Sequence, residues 1–426
     1  NHTPINGELG SFYRPDGLLA NSDLKWETTI SRNLGLDFGF LNNRINGSLE
    51  IYWNTTKDLL MAVPVDNTTG YSYQFQNFGK TSNRGIELSL NFDVINKGDF
   101  RFNIGAIYNY NRNKLDELPN ADQYLYSSYW GSSSLVPTND YMFVEGKAIG
   151  LVRGFVSEGF YTVNDFRYEN GQYILKEGIP DITKALTATY MHPFNIPNGQ
   201  TAFPGAAKFR DVNNSGTVDL DDATCLGEVM PRHTGSFQLN FNYKNFDLSS
   251  NFNWTAGGKV YNVAAMINAS GQEFDGIGAQ RTSWVADTYK VYNVNSSGDL
   301  YAVTDPNELN ALNANAKYHL PYHQSGITSS EWLEDGSYLR LQTLTLGYTL
   351  PHTVLNKIHI EKLRIYLTAT NLFTITGYSG IDPEVNATPT GQSGFYSNLR
   401  VFPTLNMDFG TYPRARTFTL GANITF

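Results

Sequence analysis

Residues 417–426 read TFTLGANITF, and every second one is apolar: Phe418, Leu420, Ala422, Ile424 and Phe426. Thr419, Gly421, Asn423 and Thr425 stand between them, small or polar. Period-two alternation specifies a strand with two chemically different faces. A strand that closes on an aromatic and turns one wholly apolar side outward needs an apolar medium to cover it. Other stretches of the chain say what that medium is.

Seven more segments alternate in the same way. One face of each reads Leu34, Leu36, Phe38, Phe40; Ile45, Gly47, Leu49, Ile51, Trp53; Ile86, Leu88, Leu90, Phe92, Val94; and Phe100, Phe102, Ile104, Ala106, Tyr108, Tyr110. The series continues with Phe237, Leu239, Phe241, Tyr243; Phe246, Leu248, Ser250, Phe252, Trp254; and Leu363, Ile365, Leu367, Ala369, Asn371, Phe373. No Lys, Arg, Asp or Glu occurs in any of these sets, although such residues make up 17% of the chain. A cationic side chain facing lipid costs about 2–4 kcal/mol at mid-bilayer, enough to exclude it. The opposite faces carry Asp37, Arg44, Glu50, Glu87, Asp93, Arg101, Asn240, Asp247, Asn251 and Arg364, as a wet lumen would.

A soluble β-sandwich also alternates, and the connections separate the two readings. Tight turns LNNR, INKGD and YKNF, with a modest PHTVLNKIHIEK, join the strands in pairs. Long connections at about 57–81, 113–232, 257–334 and 374–413 join the pairs to one another. Short turns at one end and long loops at the other is the outer-membrane barrel pattern. Aromatics stand at strand ends, at Phe40, Trp53, Tyr110, Tyr243, Trp254, Phe373 and Phe426, where interfacial girdles belong.

A ninth segment, residues 336–351 (GSYLRLQTLTLGYTLP), changes phase. Leu339 and Leu341 give way to Leu344, Leu346, Tyr348 and Leu350, which fits either a β-bulge or an upper part of the strand standing above the bilayer. Bacterial single-chain barrels close with an even number of strands, so an odd count points to strands lying elsewhere. With a periplasmic C-terminus, every tight turn falls in the periplasm and every long loop outside.

Composition excludes several other classes. No window approaches the roughly 18–20 continuous apolar residues of a spanning helix. A net charge of −9 argues against nucleic acid. The one cysteine, Cys225, can form no intrachain disulfide. The polar, turn-rich start NHTPINGELGSFYRPDG is no signal peptide and reads like the inside of a loop. Residues 1–26 are accordingly an extracellular loop remnant, and 27–426 the barrel portion.

In this order the segments resemble one family: the C-terminal part of a SusC-like (RagA/SusC) TonB-dependent transporter of the Bacteroidetes outer membrane. The resemblance rests on residues 21–60 (NSDLKWETTISRNLGLDFGFLNNRINGSLEIYWNTTKDLL), 77–95 (NFGKTSNRGIELSLNFDVI) and 208–222 (KFRDVNNSGTVDLDD). It continues in 230–249, 332–351, 363–384 (LRIYLTATNLFTITGYSGIDPE) and 412–426. It implies an all-β fold: about nine C-terminal strands of a barrel of roughly 22, with the N-terminal plug absent from this segment. It also implies import of oligosaccharides or peptides with a SusD-like surface lipoprotein, driven by the TonB complex. Dimers of transporter–lipoprotein pairs follow from the same likeness. Phe426 would then sit at the periplasmic interface, on the last strand, which closes the barrel on its first and removes a bare edge. Two other readings are a self-contained small barrel displaying adhesive or glycan-binding loops, and a siderophore or cobalamin receptor. The strings LKWETT and RGIEL count against the receptor.

Residues 211–222, DVNNSGTVDLDD, space oxygen donors like a calcium loop. Asp211, Asn213, Ser215, Thr217, Asp219 and Asp222 take positions 1, 3, 5, 7, 9 and 12, and Gly216 takes the sharp turn at position 6. Asp rather than Glu at the last position shortens its reach. The expected cofactor is Ca2+, stiffening a long extracellular loop, with no organic cofactor. Tyr124, Tyr126, Tyr129 and Trp130 form an aromatic cluster suited to stacking on sugar rings. The NxT sequons at Asn253 and Asn423 lie on strand faces and read as lumen side chains. Pro321 separates His319 from His323 and breaks helical ligand spacing, and Glu334–Asp335 beside Gly336 reads as a turn. No nucleophile elbow, P-loop, zinc spacing or dinucleotide fingerprint occurs, so the chain is not read as an enzyme.

Overall fold

In the computed structural model, the structure describes residues 2–5, 8–11, 18–71, 73–77, 79–118, 122–128, 135–187, 192–270, 282–320, 326–355, 360–385 and 405–426. Nine long strands dominate: β1 (Asn33–Phe40), β2 (Ile45–Lys57), β3 (Lys80–Lys97), β4 (Phe100–Glu117) and β5 (His233–Tyr243), then β6 (Phe246–Ala256), β7 (Tyr338–Thr349), β8 (Lys362–Thr376) and β9 (Thr417–Thr425). They pair antiparallel in chain order, and the short strand Thr28–Ile30 prolongs the β1 edge against the far end of β2. Every alternating segment of the sequence is therefore a strand of one sheet. No described helix is long and apolar enough to cross a membrane, which says nothing of strands.

Hairpin chemistry is local. Lys244 (φ 52°) opens the two-residue turn between Tyr243 and Phe246, and Gly98 (φ 59°) opens the one between Lys97 and Phe100. A positive φ lets the turn follow the right-handed twist of the strands it joins. Leu41, Asn42 and Asn43 are all left-handed in the β1–β2 turn.

The pairing register fixes the two faces. Following directly opposed residues from Ile45 leads through Phe92, Ile104, Leu239, Ser250, Leu344 and Ala369 to Phe418. That row begins at the lower end of β2 and meets β9 well above its last residue. Such a stagger is the shear that barrel strands need in order to tilt. Rings pair across strands on this face: Phe102 stacks on Phe241 at 4.1 Å, and Phe237 on Phe252 at 4.5 Å. Phe100 meets Tyr243, and Phe246 meets Tyr348, at the tight-turn end.

Bulges reset the phase where the sequence shifts it. Leu341 pairs with Phe252 and Thr343 with Asn251, so Gln342 is the extra residue of β7. Its side chain turns to the polar face and accepts from Asn253 Nδ2 at 2.7 Å. A second bulge was not foreseen. Phe102 opposes Ile95 and Asn103 opposes Asp93, so Val94 is skipped and Ile95 carries the apolar face onward.

The described parts of the long connections pack into two cores. The β4–β5 and β6–β7 connections share a core in which Phe155, Tyr161, Tyr173, Phe203 and Phe209 pack with Tyr289, Val291, Leu309 and Ile327. A second core joins Leu115, near the end of β4, to Tyr126, Tyr141, Val152, Val229, Tyr261, Trp332 and Met407. It ties the connections to the end of the sheet from which they emerge.

Candidate functional site

Alternation sends the other set of side chains to the polar face. One row crosses eight strands as Asn46, Asn91, Gly105, Gln238, Asn251, Thr343, Thr370 and Thr417. Amides and hydroxyls both donate and accept, so such a surface can exchange hydrogen bonds with water or a polar solute. Neighbouring groups already bridge strands: Thr345 to Thr368 at 2.9 Å, and Thr370 to Thr417 at 2.9 Å.

Two bridges reach over a glycine. Arg364 of β8 donates Nε to Asp247 Oδ1 of β6 at 2.9 Å and Nη2 to Oδ2 at 2.5 Å, spanning Gly347 of β7. A Cβ on Gly347 would lie 2.4 Å from Arg364 Nη2. Tyr52 of β2 likewise reaches across Gly85 to Asn111 of β4, 3.1 Å from its Oδ1.

At the end of the long connections, Arg340 of β7 is only 2% exposed. Its Nε donates to Thr374 Oγ1 at 3.0 Å, Nη1 to Glu384 Oε2 at 3.0 Å and Nη2 to Asp382 Oδ1 at 2.5 Å. Arg414 donates to the other Glu384 oxygen at 2.6 Å. A buried guanidinium needs its donors satisfied, and this one holds the segment after β8 against the sheet. Sequence reasoning passed over it, because Arg340 lies where β7 changes phase and shows no pattern of its own.

Of the aromatic cluster, Tyr126 is 3% exposed and its ring lies 4.6 Å from Phe143 and 5.6 Å from Tyr141. The expectation that it offers a free face to a sugar is corrected: it is a core ring. Tyr124, opposite Phe143, is half-buried. Tyr129 and Trp130 lie outside the described residues. Phe426 follows β9 at the sheet edge and is 87% exposed.

The 211–222 loop is closed by its own carboxylates. Asp211 accepts from the backbone N–H groups of Ser215 (3.1 Å) and Gly216 (2.7 Å). Asn213 Oδ1 also accepts from Ser215 N, and Ser215 Oγ donates to the Thr217 carbonyl. Asp222, fully buried, accepts from Val212, Asn213 and Asp219, while Asp219 accepts from Asp221. Gly216 has the left-handed φ (87°) that the turn needs. Among the described residues, no three His, Cys, Asp or Glu gather as a cation site.

The remaining titratable groups tie the connections together. Glu334 accepts from Asn262 Nδ2 at 2.7 Å and from Ser379 N and Oγ at 2.8 and 2.7 Å, and Asp335 accepts from Ser337. His319 is buried, 3.8 Å from Glu331, whose carboxyl burial pushes up and the imidazole pulls down. His323 lies outside the described residues. Asp140 is fully buried; burial raises its carboxyl to about 6, opposed by hydrogen bonds from Ser128 N and Oγ.

A family model described as TonB dependent receptor-like, beta-barrel, matches residues 3–372. TonB-dependent receptor P3 of Formosa agariphila is 30% identical over 407 residues, which cover 96% of this chain and 35% of that protein. TonB-dependent receptor SusC of Bacteroides thetaiotaomicron is 27% identical over 431 residues, covering 99% of this chain and 34% of that protein. The chain thus spans about a third of the length of the curated relatives it matches. The solved structure of the RagAB peptide transporter shares the fold, with a TM-score of 0.64 at 21% identity over 100% of this chain and 38% of that one. A sheet with barrel stagger, one apolar and one polar face, and lopsided connections is what such relatives predict, and this chain belongs to the TonB-dependent receptor β-barrel family, on its SusC-like side.

Proposed function

We propose that this chain is the C-terminal part of an outer-membrane importer of the SusC-like kind. Its strands supply about nine of the roughly 22 that such a barrel closes with, and the plug belongs to the rest of the protein. The apolar face meets lipid, the polar face lines the lumen, and the tight turns and C-terminus are periplasmic. The separation of faces across the register carries this reading. On the apolar face of β4, Phe100 to Tyr110 spans ten residue steps before the first charge on that face, Arg112. At about 3.3 Å per residue and a tilt of about 40°, that is a band roughly 25 Å tall, the height of an outer-membrane barrel's apolar belt. Phe426 then closes the barrel edge.

The imported solute is an oligosaccharide, captured with a SusD-like lipoprotein over the long connections and moved with energy from TonB. The hydroxyl and amide lining of the polar face supports a neutral, hydrogen-bonding solute, and Tyr124 with Tyr129 and Trp130 is the proposed stacking group. Peptides are the second reading, suggested by the fold likeness to the RagAB peptide transporter. Deleting the gene and following uptake of labelled oligosaccharides and labelled peptides separates the two. Loss of oligosaccharide uptake alone supports the first, loss of peptide uptake alone the second, and loss of neither removes the importer reading.

Calcium is proposed for the 211–222 loop on its donor spacing, as a stiffener of the external body. Limited proteolysis with and without Ca2+ tests it. Protection by Ca2+ that disappears in Asp211→Ala supports the site; cleavage indifferent to Ca2+ removes it.

A further inference from the structure

On the apolar face, the first charged residues above the band are two arginines directly opposed across β3 and β4. Arg84 pairs in register with Arg112 on one side and with Trp53 of β2 on the other. Both guanidiniums are exposed, and among the described residues neither has an ion pair or hydrogen-bond partner. The neighbouring carboxylates are taken: Asp116 by Lys114 at 3.2 Å and Glu117 by Lys80 at 2.8 Å. Like charges directly opposite one another on a sheet are destabilising, and among the described residues no anion compensates this pair. Arg84 borders a groove lined also by Trp53, Ile86, Tyr110 and Glu117, and Arg112 stands directly opposite Arg84 in the register. Below it the aliphatic and aromatic surface continues without a charge.

We propose that Arg84 and Arg112 together bind the phosphate of a lipid in the leaflet on the side of the long connections, with its acyl chains lying on Trp53, Ile86 and Tyr110. Two planar guanidiniums match phosphate oxygens in forked, charge-assisted hydrogen bonds. The uncharged surface below selects a lipid over a free anion, because acyl chains cover it and inorganic phosphate does not. This rests on the apolar face lying in a membrane.

The test uses the full-length protein that carries this segment, purified in detergent. It is incubated with monophosphorylated lipid A or with the same lipid lacking its phosphate, and retained lipid is counted by native mass spectrometry. Wild type is expected to retain the phosphorylated lipid about tenfold better, the worth of one good charged hydrogen bond. The Arg84→Gln/Arg112→Gln variant loses that preference, whereas Arg167→Gln, on a distant connection, keeps it. Equal retention of the two lipids, a preference unchanged in the double variant, or full displacement by equimolar inorganic phosphate overturns the proposal. Carbonate extraction of membranes reports the parent reading separately. A protein that stays in the membrane without lipid preference loses only this site; one that washes off loses the barrel reading itself.

Discussion

The nine-stranded sheet and the body built from the long connections use apolar residues in opposite ways. In the sheet, Leu34, Leu36, Phe418 and Leu420 are 60–77% exposed, and the pairing register rather than a core holds the strands together. In the connections, Tyr161, Phe155 and Phe203 are at most 2% exposed, packed among rings from two separate loops. One region is stable because its backbone hydrogen bonds are satisfied strand to strand in a medium that tolerates its outer surface. The other is an ordinary water-driven core. The same residue type therefore does different physical work in the sheet and in the connections, and substitutions should separate the two.

The largest separation is expected from Phe203→Ala. Removing a buried ring costs about 3–5 kcal/mol, and it should loosen the body alone. Protease cleavage within 155–218 should rise sharply while the folded, heat-modifiable barrel persists; loss of both together would mean that the regions fold as one unit. Leu88→Arg tests the opposite region. It should cost about 2–4 kcal/mol in a bilayer, read as a lower urea midpoint for the full-length protein in vesicles. No change there would place Leu88 outside the lipid.

Asp140 tests the body by pH. Its folded-state carboxyl is raised to about 6 from an ordinary 3.8, so the folded form holds a proton that the unfolded form has lost. Stability of the body should therefore fall as pH rises from about 4 to about 6 and level off above, by up to about 3 kcal/mol. Asp140→Asn should flatten that slope, and an unchanged slope would assign it to another group. The smallest effect, about 1–3 kcal/mol, is expected from Gly347→Ala. A methyl group there collides with the Arg364–Asp247 bridge on the polar face. Its urea midpoint should drop modestly, and a midpoint equal to wild type would show that the bridge moves aside without cost.

The difference between the regions also explains what could be read beforehand. Alternation is a one-dimensional signal, and a sheet with one apolar and one polar face imprints it on each strand independently. All nine strands and the bulge at Gln342 were therefore legible. The bulge at Val94 was not, because Val94 and Ile95 are both apolar and the sequence offers no break in phase. In the 211–222 loop the donor spacing was legible, but not that Asp211 and Asp222 spend their oxygens on backbone N–H groups. Tyr126 was misread as a free ring, because an aromatic-rich loop looks the same whether its rings face solvent or one another.

The sequence by itself determined the strand set, its two faces, the hairpin turns and the lopsided connections, since each follows from neighbours two residues apart or from turn residues with positive φ. Only the tertiary structure decided how Phe203 and Tyr289 come to share one core, how Arg340 gathers Asp382 and Glu384, and how Arg84 comes to face Arg112. Those meetings depend on register and on contacts between segments far apart in the chain, where no local periodicity records which partner a side chain will find.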